Sequence, residues 1–194
     1  MSDTPGLTLP EAEAALLRTT YDGAGVILEY GAGGSTVLAA SLAKTAVISV
    51  ESDMAWVLRM QAWLQANAAP VPVILHHADI GATRKWGFPQ TTDKPDRWPG
   101  YALSIWDHPR FQHPDVVLVD GRFRLACLLT TLFRITRPVR VLCDDYAGRA
   151  SYHKIEALTG PPAMTGRMAA FTFTPQTLPV AQMGWIMSAF ASPA

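Results

Sequence analysis

The chain has 194 residues, of which 49% are apolar and 16% are charged, and 16 basic and 16 acidic side chains give a formal net charge of zero. This composition excludes a disordered chain, because the apolar surface is ample to offset the entropy lost on ordering. The balanced charge argues against a nucleic-acid coat and against a polybasic membrane binder. Two cysteines, Cys127 and Cys143, are too few for a disulfide scaffold and favour a reducing compartment.

No segment approaches the roughly 18 consecutive apolar residues that a membrane span needs. Residues 1–5 lack the basic and apolar regions of a signal peptide. We therefore expect a cytoplasmic protein with no membrane partner and no nucleic-acid partner, and the length predicts a single domain over residues 1–194.

The zero net charge conceals an uneven distribution along the chain. Residues 1–53 carry seven acids and two bases, whereas residues 121–194 carry three acids and eight bases. One interpretation is two solvated faces of opposite sign. The other is a cationic pocket in the second half that favours an anionic substrate.

Apolar strands alternate with helical patterns through the first part of the chain. The predicted elements are a helix over 11–21 opened by Pro10, a strand over 26–28, a helix over 35–43, a strand over 46–50, a helix from an Asp53 cap to 67, and a strand over 70–75. A strand over 115–119, a helix over 122–135, a strand over 139–143, a short helix over 151–158, and strands over 168–173 and 183–190 follow.

This alternation predicts an α/β fold, a Rossmann-like, doubly wound, mostly parallel seven-stranded sheet with helices on both faces. The last two predicted strands have no room for a helix between them, so we expect a C-terminal antiparallel hairpin. Ligands of such sheets bind beyond the carboxyl ends of the strands, where the strand order reverses. The residues that follow each strand are therefore the candidates for chemistry.

A glycine-rich turn, residues 29–36 (Glu-Tyr-Gly-Ala-Gly-Gly-Ser-Thr), follows the first strand. Glycines let a backbone turn sharply and approach a ligand, and the helix that follows presents its free N–H groups. As a dinucleotide motif the turn is imperfect, because Thr36 stands at the third glycine position. A carboxylate at Glu29 would repel a pyrophosphate but attract a ligand with an ammonium or sulfonium charge.

Acidic residues also follow the second and third strands. Glu51 lies 18 residues beyond Gly33, where a carboxylate accepts two hydrogen bonds from a ribose diol. Asp79 is placed to accept a hydrogen bond from an adenine amino group, and Ile80 to pack on the ring.

In these residues the chain resembles the class I S-adenosylmethionine-dependent methyltransferases, with Glu29, Gly31 and Gly33 in the acidic-x-Gly-x-Gly-x-Gly motif and Ser35 in the last glycine position. The resemblance extends over residues 10–190 and implies an S-adenosylmethionine cofactor. The cofactor-binding residues that it implies are Glu29, Tyr30, Gly31, Ala32, Gly33, Ser35, Glu51, Ser52, Asp79, Ile80 and Asp120. A non-catalytic protein that keeps the pocket is one alternative, and an NAD-dependent oxidoreductase, disfavoured by Glu29 and Thr36, is another.

Three carboxylates, Asp120, Asp144 and Asp145, follow the fourth and fifth strands and should converge in one crevice. Carboxylates at such short distances must be paired with positive charges, protonated or bridged by a cation. With Tyr146, the arrangement resembles that of magnesium-dependent O-methyltransferases, which implies Mg²⁺ held by these three residues and lowering the pKa of a substrate hydroxyl. Two alternatives stay open: Asp120 acts as a general base without metal, or it pairs with an arginine, Arg122 or Arg124.

A 33-residue insertion, residues 81–113, separates the third and fourth strands and contains three of the six tryptophans. It is either an ordered cover on the sheet or an aromatic lid over the substrate. We expect the lid to contribute to binding of a small-molecule acceptor, anionic or a sugar or aromatic compound, with methylation at oxygen. The apolar segment 183–190 packs on the sheet or forms a dimer edge, so the protein is expected to be a monomer or a homodimer.

Overall fold

The computed structural model describes residues 4–193 as an α/β fold. Nine strands lie in this range: β1 (Val26–Tyr30), β2 (Ala46–Glu51), β3 (Val73–His77), β4 (Thr83–Arg84), β5 (Phe88–Pro89), β6 (Val116–Val119), β7 (Val139–Cys143), β8 (Ala163–Thr165) and β9 (Met168–Phe173). The α-helices are α1 (Glu11–Tyr21), α2 (Gly34–Leu42), α3 (Met54–Ala66), α4 (Pro99–Leu103), α5 (Arg124–Arg134), α6 (Glu156–Thr159) and α7 (Met183–Ala189). No helix of residues 4–193 is long and apolar enough to cross a membrane.

Seven strands form the main sheet in the order β3-β2-β1-β6-β7-β9-β8. The pairs from β3 to β7 are parallel, whereas β9 runs antiparallel to β7 and β8 antiparallel to β9. The chain leaves β1 toward β2 on one side and returns with β6 on the other, so the strand order reverses between β1 and β6. The Rossmann-like fold predicted from the sequence is confirmed.

The strands were predictable as short apolar runs, because a parallel sheet that is covered on both faces buries nearly every strand residue. All five residues of β1 are buried, including Glu29 and Tyr30, which lie inside the strand and not after it. One apolar cluster on each side of the sheet forms the core. Helices α1 and α2 cover one side, and α5, α7 and part of the insertion cover the other.

The predicted strand over 183–190 is wrong, because this segment forms α7. Ile186 and Ala189 are buried at helical spacing and Phe190 packs on the core, while Met187 between them is exposed. A short apolar run is compatible with the helical period and with the strand period, and here the tertiary contact with α5 selects the helix. The antiparallel hairpin exists, but β8, a three-residue strand with two exposed side chains, supplies its second strand.

The insertion has two different halves. In its first half, β4 and β5 form a two-stranded hairpin around a 3₁₀ turn, Lys85–Gly87. In its second half, α4 and a 3₁₀ turn, Ser104–Asp107, are buried against the sheet. The hydroxyl of Tyr30 fastens this second half by donating to the carbonyl oxygen of Ala102 (2.8 Å) and accepting from the indole of Trp106 (2.7 Å).

Candidate cofactor and active site

A cavity of about 430 Å³ opens at the carboxyl ends of β1 and β6, where the strand order reverses. This volume is within the range of small-molecule sites. Its wall is formed by five stretches of chain: residues 5–9, the glycine turn 31–35, the end of β2 with the start of α3 (Glu51, Asp53, Trp56), the hairpin tip (Trp86, Gly87) with Tyr101, and residues 120–122.

The glycine turn lies directly against the loop that follows β6. Gly31 has φ +108°, and a Cβ atom on it would lie 2.9 Å from the backbone nitrogen of Gly121. Only glycine therefore allows these two loops to meet in this way. Gly33 N–H donates to the hydroxyl of Thr36 (3.0 Å), so Thr36, at the third glycine position of a dinucleotide motif, holds the turn internally.

The carboxylate of Glu51 lies on the cavity wall and connects two loops. Its Oε1 accepts from the N–H groups of Ser52 (2.7 Å) and Asp53 (3.0 Å), and its Oε2 accepts from the N–H of Ala32 (3.3 Å). Backbone donors at both oxygens fix the carboxylate at the edge of the glycine turn. Ser52 itself is buried, and its hydroxyl donates to the carbonyl oxygen of Gly87 (2.9 Å), which anchors the hairpin tip beside Glu51.

Asp120 reaches the cavity from the end of β6. Burial raises the pKa of its carboxyl to about 6, because Arg124 opposes the desolvation and the repulsion of Asp144 and Asp145 only in part. The guanidinium of Arg124 donates to Oδ1 of Asp120 at 3.1 Å. A carboxylate at this place with such a pKa is suited to accept a proton near neutral pH.

A solved structure with this arrangement of strands and high sequence identity is known. The methyltransferase-like protein spo2022 from Silicibacter pomeroyi DSS-3 is 49% identical to the chain, with a TM-score of 0.95 over 98% of this chain and 99% of that one. The chain belongs to the same family as this methyltransferase-like protein.

More distant solved structures share the fold. Cofactor-bound Rv0187 from MTB is 15% identical, with a TM-score of 0.60 over 90% of this chain and 85% of that chain. The SAM-dependent O-methyltransferase TM0748 from Thermotoga maritima is 10% identical, with a TM-score of 0.57 over 92% and 70%. A scan of protein-family models and a search of curated proteins find no match to the chain.

Two residues of the methyltransferase motif lie behind the cavity and do not line it. Glu29 is fully buried in β1, where the hydroxyl of Tyr21 donates to its Oε1 (2.7 Å) and its Oε2 has no partner among residues 4–193. Burial raises the pKa of Glu29 to about 7, and the hydrogen bond from Tyr21 offsets this rise only in part. Glu29 and Tyr30 were expected to contact the cofactor, but the strand extends through both of them and neither lines the cavity.

Asp79 and Ile80, expected at the adenine, are not on the cavity wall either. Asp79 accepts from the N–H of Gly81 (2.9 Å) and forms an ion pair with Arg97 of the insertion, and Ile80 is buried in the core. The hairpin tip with Trp86 borders the cavity next to Glu51 instead. Sequence reasoning missed this role of Trp86, and its only signal was an aromatic residue in a long insertion.

The three carboxylates expected to bind Mg²⁺ are paired with arginines. Arg167 donates to both oxygens of the buried Asp144 (3.0 and 2.7 Å) and lies 3.1 Å from Asp145, and Arg124 bridges Asp120 and Asp145 (3.1 and 3.5 Å). Among residues 4–193 no group of three or more candidate ligands is arranged to hold a metal ion. These residues do not fit Mg²⁺, because guanidinium groups already neutralise them. The pairing of Asp120 with Arg124 is the alternative that the sequence had left open.

We therefore expect Mg²⁺ and EDTA to leave the thermal unfolding temperature of the protein unchanged. A metal ion at 100 times its Kd would stabilise the native state by about 2.7 kcal/mol, which corresponds to a rise of roughly 5–10 °C for a domain of this size. Scanning calorimetry with MgCl₂ and with EDTA makes the comparison. A rise of that size with MgCl₂ would restore the three carboxylates as metal ligands.

Residues 5–9 form a strap across the glycine turn that the sequence did not predict, since the segment has no periodic pattern. Leu7 and Leu9 are half-buried against the core below. A Cβ atom on Gly34 would lie 2.3 Å from the carbonyl carbon of Gly6 and 2.4 Å from the nitrogen of Leu7. The strap and the turn therefore touch backbone to backbone.

Gly34→Ala is expected to destabilise the protein by about 1–3 kcal/mol, the usual cost of overpacking a close contact. The strap must move away from the turn to admit the methyl group, so affinity for ligands of the cavity falls as well. Urea unfolding with Gly33→Ala as the control tests this, because a Cβ atom on Gly33 meets nothing within 4 Å. Equal stabilities of the two variants would show that the strap does not press on Gly34.

Proposed function

We propose that the protein transfers a methyl group from S-adenosylmethionine to a hydroxyl oxygen of a small molecule, with Asp120 as the general base. The observation that carries this proposal is the shared wall of one cavity, on which the glycine turn, Glu51 and Asp120 lie together. No such wall would form if β1, β2 and β6 were not neighbours in the sheet.

The residues of the cavity fit S-adenosylmethionine. The absence of a side chain at Gly31 brings the backbone of the turn close to Gly121 and leaves the cavity beside it open. Gly31, Ala32, Gly33 and Ser35 would hold the amino-acid end of the cofactor, and the carboxylate of Glu51 would accept from the ribose hydroxyls. When bound, the cofactor supplies an electrophilic methyl group on a sulfonium centre.

Asp120 accepts the proton that the acceptor hydroxyl loses as its oxygen bonds to the methyl carbon. The ion pair with Arg124 (3.1 Å) holds the carboxylate in one orientation. Its pKa of about 6 leaves it mostly ionised at neutral pH and still basic enough to take a proton. Positioning of the hydroxyl against the methyl group supplies much of the remaining rate.

The hairpin tip forms the part of the cavity wall that is exposed to solvent. Trp86 is 70% exposed and has φ +67°, a conformation that a bulky residue adopts rarely. We assign it the role of covering the bound ligands and excluding water. The first half of the insertion thus serves as a lid, whereas the second half is an anchored cover.

Calorimetric titration with S-adenosylhomocysteine, with NADH in a parallel cell, tests the cofactor. We expect micromolar binding of S-adenosylhomocysteine and none of NADH. A transfer assay with radiolabelled S-adenosylmethionine then tests acceptors, starting with anionic hydroxylated aromatics and sugars. A protein that binds neither S-adenosylhomocysteine nor S-adenosylmethionine would contradict the proposal.

Glu51→Ala is expected to weaken S-adenosylhomocysteine binding more than tenfold, since two hydrogen bonds to a charged acceptor contribute at least about 1.5 kcal/mol each. Part of the loss has a second origin, because the N–H groups of Ala32, Ser52 and Asp53 lose their acceptor. Glu51→Gln separates the two in part, since its amide oxygen keeps acceptance from Ser52 and Asp53 while the charge and the acceptor for Ala32 are lost. Unchanged affinity in both variants would remove Glu51 from the ribose site.

A further inference from the structure

Arg122 lies on the cavity wall two residues after Asp120. Its backbone N–H donates to the hydroxyl of Tyr101 (3.2 Å), which fixes the start of its side chain. The carbon at the centre of the guanidinium lies 4.0 Å from the centroid of the Phe88 ring, in the hairpin of the insertion. The side chain is therefore restrained at its backbone and at its guanidinium group.

The guanidinium of Arg122 has no carboxylate partner among residues 4–193, although a guanidinium inside a protein normally has one. It forms no ion pair within 4.0 Å among residues 4–193, whereas Arg124, Arg149 and Arg167 beside the same crevice all do. Its Nε is buried and has no hydrogen-bond acceptor in the same range. A buried donor left unsatisfied costs about 1–3 kcal/mol, so an acceptor from a ligand would be stabilising.

The carboxylates near Arg122 have hydrogen-bond donors other than Arg122. Glu51 accepts from backbone N–H groups at both of its oxygens, and Asp120 is paired with Arg124. Burial and the charge of Arg124 both lower the pKa of the Arg122 guanidinium. Asp53, the third carboxylate on this wall, accepts from the N–H groups of Ala55 and Trp56, so the Arg122 guanidinium is the charged group of the wall that lacks a partner among residues 4–193.

We propose, on the basis of the proposed function, that the methyl acceptor is a small hydroxylated oxyanion whose carboxylate or phosphate group Arg122 binds. A guanidinium donates through a planar fork that matches two oxygens of a carboxylate or phosphate. Contact with the Phe88 ring (4.0 Å) restrains the position of that fork. Because Asp120 lies two residues away on the same wall, an acceptor held by its oxyanion presents its hydroxyl to the base.

Anion binding can be measured without knowing the acceptor. The protein loaded with S-adenosylhomocysteine is titrated by calorimetry with benzoate, with the neutral isostere benzamide and with inorganic phosphate. We expect benzoate or phosphate to bind at least about tenfold more tightly than benzamide, as hydrogen bonds to a charged group require. The benzoate and phosphate arms distinguish a carboxylate acceptor from a phosphorylated one.

Arg122→Gln is expected to weaken the anion at least about tenfold and Arg122→Lys to recover part of the loss, because lysine keeps the charge without the fork. Arg84→Gln is the matched control. The Arg84 guanidinium also lies over the Phe88 ring (5.3 Å), but Arg84 is exposed and outside the cavity wall, so its variant should bind the anion as wild type does.

Three outcomes would overturn the proposal: equal binding of benzoate and benzamide, no binding of either anion, or wild-type anion binding by Arg122→Gln. A fourth is a loss of S-adenosylhomocysteine affinity in Arg122→Gln, which would assign Arg122 to the cofactor. Wild-type protein that binds no S-adenosylhomocysteine contradicts the proposed function instead. Titration of the cofactor-free protein with the same anions then still tests Arg122.

Discussion

Asp120→Asn is expected to reduce methyl transfer at least about 100-fold, the lower limit for the loss of a positioned general base. Asparagine keeps the shape of the side chain and its hydrogen bond from Arg124, but it cannot take the proton of an acceptor hydroxyl. Binding of S-adenosylhomocysteine should stay within about threefold of wild type, since the change removes no backbone donor and no cofactor hydrogen bond named above. The initial rate of transfer and the calorimetric Kd give the two readouts.

The pH dependence of transfer provides a second readout of the same variant. In the wild type the rate should rise through about pH 6 as Asp120 ionises, and this rise should be missing from the residual rate of Asp120→Asn. Asp79→Asn is the control, because Asp79 lies outside the cavity wall and is expected to leave both rate and Kd unchanged. Wild-type transfer by Asp120→Asn would remove Asp120 from catalysis.

The main sheet was predictable from the sequence because local and tertiary preferences agree there. Strands such as β2 and β7 are apolar runs bounded by turns, and each is followed or preceded by a capped or amphipathic helix. The errors fall where a segment is short or where its partner is distant in sequence. Helix α7 takes its period from contact with α5, and β8 is recognisable only beside β9.

The glycine turn and Glu51 were predictable as parts of the cavity because the turn follows β1 directly and Glu51 is the last residue of β2. The partners of the carboxylates were visible only in part. Arg124 is four residues from Asp120 and was a candidate, but Arg167 is 23 residues from Asp144 and reaches it through the β7–β9 pair. Pairing of this kind depends on which strand lies at the sheet edge, and the predicted hairpin had placed a different segment there.

Asp79, which lies off the cavity wall, shows the same limit. The rule that a residue after a strand points to the ligand holds only where the following turn leaves the side chain free. Here Asp79 caps its own turn at Gly81 and meets Arg97, which the insertion brings from 18 residues away. An insertion without a regular pattern is the part of a sequence from which such contacts are hardest to derive.

Glu29→Gln is expected to change the pH dependence of stability more than any other substitution of a single charge. Burial raises the pKa of Glu29 to about 7, against 4.5 for an unfolded chain, so the native state binds more protons between these two values. The free energy of unfolding therefore falls as pH rises through this window. A shift of this size corresponds to about 3 kcal/mol at pH 8, since each pKa unit is worth about 1.4 kcal/mol.

Glutamine does not titrate, so the variant should lose less stability than wild type between pH 5 and pH 8, by an amount on the order of 3 kcal/mol. Asp120 adds a slope of the same sign, but it is present in both proteins and cancels in the comparison. Urea unfolding at several pH values measures the difference, and Glu11→Gln, which removes an exposed carboxylate, serves as the control.

The same variant separates the two roles considered for Glu29. If the residue supports β1 from behind the cavity, Glu29→Gln binds S-adenosylhomocysteine within about threefold of wild type, because no ligand hydrogen bond is lost. If it contacts the ammonium group of the cofactor, as the family resemblance implied, affinity falls at least about tenfold. A parallel pH slope in wild type and variant would show instead that Glu29 is ionised throughout the range, and its place beside Tyr21 would then need a cationic partner.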